Sequence, residues 1–589
     1  MFSTKNLDSK SELISINKNA LTATLICPIT QQIFFDPVAS FPCGHVFERE
    51  AITEWRATKN KCPCCRTNMT GLCESPLTNN FVELAVTANP QLQNDRYFKI
   101  EILSNALHEN NKIRLDKLIK ILKSSDYLNA ISEEKDFKGE SALTELSAFP
   151  AGRLALSHDE ILLKHISETG LNAVLQEGAD RGSSALSWLA GSREGRALLS
   201  KDEKLVAKIT AEGLNSIRQE GSMRGTSALY WLTANPEGRA LFTKDEKLVA
   251  KITAEGLNSI RQEGEYRGSS ALYWLAGYDE GRALLTKDEK LVAKITEQGL
   301  NSIIKDDGYD LGSSVLYWLA NSSEGLELLI KDEKLVAKIT AEGLNSIKQK
   351  EDNRGTSALY WLACSPEGGA LFTKDEKLVA KITAEGLNSI CLEGERRGAS
   401  ALYWLAADPE GRALFIKDEK LVAKITEQGL NSICQDEEDR GASALYWLAG
   451  HPEGRALLCK DEKLVEKISE QGLNSIPQEG TFRGISALYC LAASSEGRTL
   501  LLKKNHLVNL INIDTLMTVI PDGPNKGTSA YQCLSETEEG KEILKNNPML
   551  QLKIDRWKGN PNQLFANPKT SASDSKSQVQ IDLKKLNSK

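Results

Sequence analysis

A 43-residue period runs through most of this 589-residue chain and restricts its fold more than any other feature. The marker ALYWLA and its variants put tryptophan at Trp188, Trp231, Trp274, Trp318, Trp361, Trp404 and Trp447, and weaker copies place Glu145 before the series and Cys490 and Cys533 after it. From 145 to 533 the chain makes nine steps of 43 with one residue left over. The extra residue falls in IKDDGYDL (304–311), where a sister repeat has RQEGEYR (261–267). A stretch that tolerates an insertion reads as a loop. A unit this short cannot bury its own apolar face, so stability must come from stacking on its neighbours.

Punctuation inside the repeat predicts about three helices. Ser227 to Ala234 reads as a short apolar helix, and Asn235-Pro236 restarts the chain with proline at a favoured first helical position. Thr243-x-x-Glu246 reads as a capping box opening DEKLVAKIT, and Gly256 as the end of that helix. No strand pattern recurs. The array resembles an armadillo or HEAT-type α-solenoid. An elongated ankyrin-like unit is the alternative, because GTSALYWLA followed by KLVAKITAEGLN is similar to an ankyrin helix pair; the extra EGRALL helix and the longer period count against it. The tryptophans are expected to pack between repeats as core rather than to form a ligand-stacking row. Glu145 is expected to mark an uncovered end of the array, where a charge is tolerated. Sequence varies most in the loops (RQEGSMR, KQKEDNR, CLEGERR, CQDEEDR, PQEGTFR), where solenoids usually carry specificity. Recent duplication without selection accounts for that variation equally well.

Residues 27 to 66 carry different chemistry. Cys43-x-His45 and Cys62-x-x-Cys65 form two short ligand pairs separated by a helical stretch, and thiolate and imidazole ligands suit a closed tetrahedral zinc site. The alternative is that these cysteines are small buried hydrophobes. Ile52 and Trp55 lie three apart, on one face of a short helix.

The full series, Cys27-Pro28-Ile29-Thr30, Asp36-Pro37-Val38, Cys43-Gly44-His45, Glu48-Arg49, Ile52, Trp55 and Cys62-Pro63-Cys64-Cys65-Arg66, resembles the U-box, the relative of the RING finger that docks a charged ubiquitin-conjugating enzyme. On the RING pattern the four ligands fall on the second zinc site. The first site would need cysteines where this chain has Cys27, Thr30, Glu48 and Ala51, so it should be metal-free. A U-box normally holds neither zinc, and a single retained site is similar to the SP-RING of SUMO ligases. The resemblance implies one structural zinc on Cys43, His45, Cys62 and Cys65. It also implies an apolar groove for the conjugating enzyme at Ile29, Trp55 and Pro63. Arg66 would be the cationic linchpin that holds the thioester-linked ubiquitin in a reactive arrangement. A guanidinium suits that role because its planar fork donates in two directions and stays charged. Catalysis would then be positioning without a covalent intermediate. Cys64 and Cys73 have no slot in the pattern and read as free thiols.

Composition excludes several alternatives. A net charge of −7 argues against a general binder of phosphate backbones. No apolar run approaches the roughly 18 to 20 residues of a membrane helix, and the start MFSTKNLDSKSELISINKNA lacks the order of a secretory signal. Twelve cysteines, six of them between 27 and 73, suit a reducing compartment such as the cytosol. A eukaryote-type box beside freshly duplicated repeats also fits a bacterial effector working in host cytosol.

The expected organisation is a flexible N-terminus (1–19), a U-box/RING-like domain (20–89), a helical connector and cap (90–135), an α-solenoid (136–558) and a disordered tail (559–589). The fold class is mainly α, with a small α+β box followed by about nine or ten repeats. The expected function is ubiquitin ligation, with a conjugating enzyme, ubiquitin and a protein substrate held on the solenoid as partners, and neither nucleic acid nor a membrane span. SUMO ligation of SP-RING type and a non-catalytic interaction scaffold are the competing readings.

Overall fold

The computed structural model describes residues 24–89, 92, 98–124, 126–132, 138–306, 308–436, 439–480 and 482–558. The expected flexible N-terminus and disordered tail lie outside the described residues. Two compact units divide at Ser389 and Ile390. The first holds the box and the earlier repeats, the second the later repeats.

The box is built on a three-stranded antiparallel sheet of order β2-β1-β3, with β1 at Pro37–Phe41, β2 at Val46–Glu48 and β3 at Gly71–Glu74. Pro37 pairs with Glu48 on one side of β1, and Val38 with Glu74 on the other. Helix α1 (Arg49–Thr58) follows β2 directly and buries Ala51 and Ile52. Its first turn carries Glu50 and its last Arg56, the charge order that complements the helix dipole. Helix α2 (Pro76–Ala88) opens on proline and closes the core with Val82. That core gathers Leu25, Cys27, Ile33, Phe34, Val38, Phe47, Ile52, Cys62 and Met69.

Two connector helices follow, α3 (Ile100–His108) and α4 (Lys112–Ser124). They fasten the box through Lys99 to Glu54 and Arg114 to Glu50, both at 2.8 Å, and Lys117 Nζ donates to Asn79 at 3.2 Å. Helix α3 also packs on Ala142–Ala148, the first helix of the array. Glu145 is therefore covered and only 7 % exposed, against the expectation of an open end. Burial, together with the neighbouring carboxylate of Glu145, pushes Glu140 up to about 9.

A repeat contains four short helices rather than about three: Ala228–Ala234, Pro236–Lys244, Glu246–Ala250 and Ala254–Asn258. Ser227 caps the first by accepting from Tyr230 N, and Pro236 opens the second. The expected capping box at Thr243 does not form. Asp245 caps the third helix by accepting from Lys247 N and Leu248 N, because Lys244 still belongs to the second. Gly256 does not end that helix either. Thr253 starts a further one with its side chain on Gly256 N, and a Cβ at 256 would lie 2.2 Å from Asn215 Oδ1.

In the first unit successive first helices stack on one another, as do successive second helices. A polar ladder joins the copies. Arg239 donates through one guanidinium nitrogen to Thr233 O and pairs with Glu280 of the next repeat at 3.3 Å. The same step recurs as Arg153–Glu194, Arg196–Glu237 and Arg282–Glu324. The second unit repeats it as Arg412–Glu453, Arg455–Glu496 and Arg498–Glu539.

The aromatic pair inside ALYWLA divides its work differently from expectation. Tyr230, Tyr273, Tyr317 and Tyr360 are at most 2 % exposed, whereas among the tryptophans of the first unit only Trp274 reaches full burial. Trp188, Trp231, Trp318 and Trp361 are half-buried. Trp318 and Trp361 lie between repeats, meeting the preceding tyrosine edge to face, as in Tyr273–Trp318 at 6.4 Å between centroids. The tyrosine supplies the buried core and the tryptophan its rim.

Candidate metal centre and its flanking surface

Cys43, His45, Cys62 and Cys65 come together: one ligand atom from each lies within 4.8 Å of all the others, the only such His/Cys/Asp/Glu group among the described residues. Cys43 and His45 sit in the turn between β1 and β2, while Cys62 and Cys65 bracket the turn after α1. Cys62 is 1 % exposed and belongs to the box core, so it anchors the set, while His45 and Cys65 face solvent. A tetrahedral zinc with arms of about 2.3 Å spaces its ligand atoms by about 3.8 Å. The four side chains thus need only a small closing movement, and the donor set is consistent with one structural zinc.

Local hydrogen bonds prepare the thiols for that role. Ser40 Oγ lies 3.1 Å from Cys43 Sγ. That hydroxyl, with the backbone and ring of His45, pulls the Cys43 thiol down to about 6, so it is largely thiolate at neutral pH. The neighbouring Cys43 in turn raises His45. Thr67 lowers Cys65 through its hydroxyl and its backbone. Burial pushes Cys62 the other way. Ser40 and Thr67 were not legible as site residues, since their spacing from the cysteines matches no ligand pattern.

The vacant first slot is filled by a carboxylate. Glu48 is fully buried, and its two oxygens accept from Phe35 N at 2.7 Å and Asp36 N at 2.9 Å. Its own backbone N–H donates to Cys27 Sγ at 3.2 Å. Thr30 Oγ1 accepts from Gln32 N at 3.3 Å. Next to this knot Arg49 pairs with Asp36 at 2.8 Å and with Glu74. A buried charge is tolerated only when hydrogen bonds and ion pairs surround it. These contacts join the 27–36 loop to the sheet without a metal. In the sequence Glu48 is legible only as a missing ligand, because its backbone partners lie 12 and 13 residues away.

Ile29, Trp55 and Pro63 are each half-buried; Ile29 and Trp55 pack against the box core, and Pro63 lies in the turn between Cys62 and Cys65. Trp55 Nε1 donates to Lys61 O at 2.9 Å, and Lys59 Nζ lies 4.5 Å from its ring centroid. Ile52, on the same helical face, is fully buried and belongs to the core. Arg66 is exposed, its N–H donating to Cys62 O at 2.9 Å, and its backbone is left-handed with φ +62°. A non-glycine residue holds that conformation at a cost. Cys64 and Cys73 are exposed free thiols outside the cluster.

Residues 14–66 match the zinc-finger family described as MIZ type in Nse subunit. The chain is also similar to the E3 ubiquitin-protein ligase CHFR of Xenopus tropicalis, 29 % identical over 87 residues, which are 15 % of this chain and 14 % of that protein. The human CHFR is 33 % identical over 67 residues, 11 % of this chain and 10 % of the relative. The E3 ubiquitin-protein ligase rnf8 of Danio rerio is 35 % identical over 66 residues, 11 % of this chain and 13 % of the relative. The matched stretch thus spans about a seventh of these relatives or less. No helix among the described residues is long and apolar enough to cross a membrane.

Proposed function

We propose that this chain is a RING-like ubiquitin ligase of U-box type. Its box docks a ubiquitin-charged conjugating enzyme on Ile29, Trp55 and Pro63, and its repeats hold the protein substrate in the cytosol. One observation carries the reading: a small domain with a single four-ligand cluster keeps three apolar side chains half-buried, Ile29 and Trp55 on its core and Pro63 in the ligand turn, with an exposed arginine directly after the last ligand. Half-buried apolar groups on a small domain are the usual anchors of a partner, and tryptophan is a frequent one. Arg66, exposed in the turn after the last ligand, then reaches the bound thioester. The ligase supplies positioning, holding donor and acceptor together and restricting the thioester to reactive conformers. The zinc would be structural, tying the 43–45 turn to the 62–65 turn, while Glu48 ties the opposite loop.

The names of the similar relatives support ubiquitin as the modifier. The MIZ-type match and the single ligand cluster favour a second reading, SUMO ligation. The deciding experiment is automodification of the full chain with a panel of conjugating enzymes, run in parallel with ubiquitin and with SUMO. Ubiquitin transfer supports the first reading and SUMO transfer the second. No transfer with either leaves the box as an interaction scaffold.

A further inference from the structure

Three successive buried tyrosines of the first unit have a hydroxyl partner one repeat on. Tyr230 Oη meets Ser269 Oγ at 2.8 Å, Tyr273 Oη meets Ser313 Oγ at 2.9 Å, and Tyr317 Oη meets Thr356 Oγ1 at 3.2 Å. Each of these hydroxyls also donates to the carbonyl three residues before it: Ser269 to Tyr266 O, Ser313 to Asp310 O and Thr356 to Asn353 O, all at 2.7 Å. With its proton so committed, the Ser or Thr oxygen accepts from the phenol.

The step immediately before Tyr230 lacks its tyrosine. In ALSWLA the position is Ser187, whose hydroxyl turns back to Ser184 O at 2.8 Å. The partner one repeat on is nonetheless in place: Thr226 Oγ1 donates to Met223 O at 2.7 Å, as its counterparts do. Around Tyr230 the ring meets Trp231 at 5.1 Å and Trp274 at 6.2 Å between centroids. The corresponding Trp188, Trp231 and Thr226 border a cleft of about 230 Å³ that also includes Ser187, Met223 and Arg218. A cavity of roughly 150 Å³ is enough to take up benzene. Ser187 itself is half-exposed, where Tyr230 is 2 % exposed, so the cleft reaches solvent.

We propose that this cleft is a binding site for the phenol ring of a tyrosine side chain presented by a protein partner. The partner's ring takes the place of the missing tyrosine, edge to face with Trp188 and Trp231, and its hydroxyl donates to Thr226 Oγ1. Protein is the source because Trp188, Trp231 and Thr226 stand where Trp231, Trp274 and Ser269 seat this fold's own Tyr230 side chain. The site does not depend on the box, and it stands whether or not the chain transfers ubiquitin.

The test uses the full chain and three probes, N-acetyl-L-tyrosinamide, N-acetyl-L-phenylalaninamide and p-cresol, followed by ligand-observed NMR. The tyrosine amide should bind saturably and several-fold more tightly than the phenylalanine amide, the size of one neutral hydrogen bond. Ser187→Tyr should fill the cleft, remove at least nine-tenths of that binding and raise the melting temperature. Thr226→Val should erase the preference for tyrosine while the phenylalanine amide still binds, which keeps the inference testable if Ser187→Tyr does not fold. Unchanged probe binding by Ser187→Tyr, a folded but less stable Ser187→Tyr, or a tyrosine preference that survives Thr226→Val would each overturn the site. Binding of p-cresol without binding of the tyrosine amide would overturn the protein partner.

Discussion

Asn258 ends one repeat and holds the next. Its Nδ2 donates to Lys294 O at 2.9 Å and its Oδ1 accepts from Thr296 N at 3.0 Å, 36 and 38 residues along the chain. The same carboxamide also donates to Ala254 O at 2.6 Å within its own helix, so its amide nitrogen and its oxygen are both engaged while it is 8 % exposed. Asn172, Asn215, Asn301 and Asn345 make the same contact in the first unit, and Asn431 makes it in the second.

Asn258→Ala leaves Thr296 N–H and Lys294 C=O without that partner at a repeat boundary, a cost of roughly 2 to 4 kcal/mol. A linear array does not melt in one step, so hydrogen exchange is the better readout. Exchange at Thr296 should accelerate by two orders of magnitude or more, with distant repeats unaffected. Gly299→Ala should do the same, since its Cβ would meet Asn258 Oδ1 at 1.9 Å.

Tyr317 and Trp318 are neighbours with different duties. Tyr317 is 1 % exposed and hydrogen-bonded to the next repeat, so Tyr317→Ala should cost about 3 to 5 kcal/mol. Half-buried Trp318 should cost less on replacement by Ala, about 1 to 3 kcal/mol. Paired urea titrations check the order, and a larger loss for Trp318→Ala would return the tryptophan to the core.

Metal and carboxylate hold opposite loops of the box and should fail separately. Cys43→Ser should remove the single zinc detected by elemental analysis, and a chelator should destabilise the wild-type box but not that variant. Glu48→Ala strands two backbone donors, costing roughly 2 to 4 kcal/mol, while zinc content stays at one.

Groove and linchpin give a second split. Ile29→Ala or Trp55→Ala should weaken binding of the uncharged conjugating enzyme, and activity should fall with it. Arg66→Ala should leave that binding nearly unchanged and slow single-turnover discharge of the thioester to free lysine, by about tenfold or more. Full discharge activity in Arg66→Ala would sink the linchpin role, and equal loss of both would assign Arg66 to the docking surface.

The Glu140–Glu145 contact makes the start of the array sensitive to pH. Glu140 is raised to about 9 in the folded protein, far above an ordinary carboxylate, so the fold prefers its protonated form. That stabilisation is complete below the unfolded value and is lost as pH rises toward 9. The melting temperature of the first helices should fall between pH 5 and 9, and Glu145→Gln should weaken the dependence without removing it, because burial is the larger cause. A melting temperature independent of pH in that window would separate the two carboxylates.

The sequence by itself determined what local pattern can encode. The proline that opens the second helix is visible within one turn of chain, and the 43-residue period and the single-residue insertion at 304–311 follow from comparing successive copies. The spacing Cys43-x-His45 and Cys62-x-x-Cys65 likewise announced a metal set before any geometry. Tertiary structure decided matters that depend on partners a repeat away or across the sheet. Glu48 looked like a lost ligand until Phe35 N and Asp36 N met its oxygens. Gly256 looked like a helix end until Asn215 was found against it. Adjacent Tyr and Trp are both large amphipathic aromatics, and only the stacking of neighbouring helices buried the first and left the second at the rim. Periodicity records which residues face inward, but the depth of burial and the hydrogen-bond partner are set by contacts 36 to 43 residues apart, which no local pattern contains.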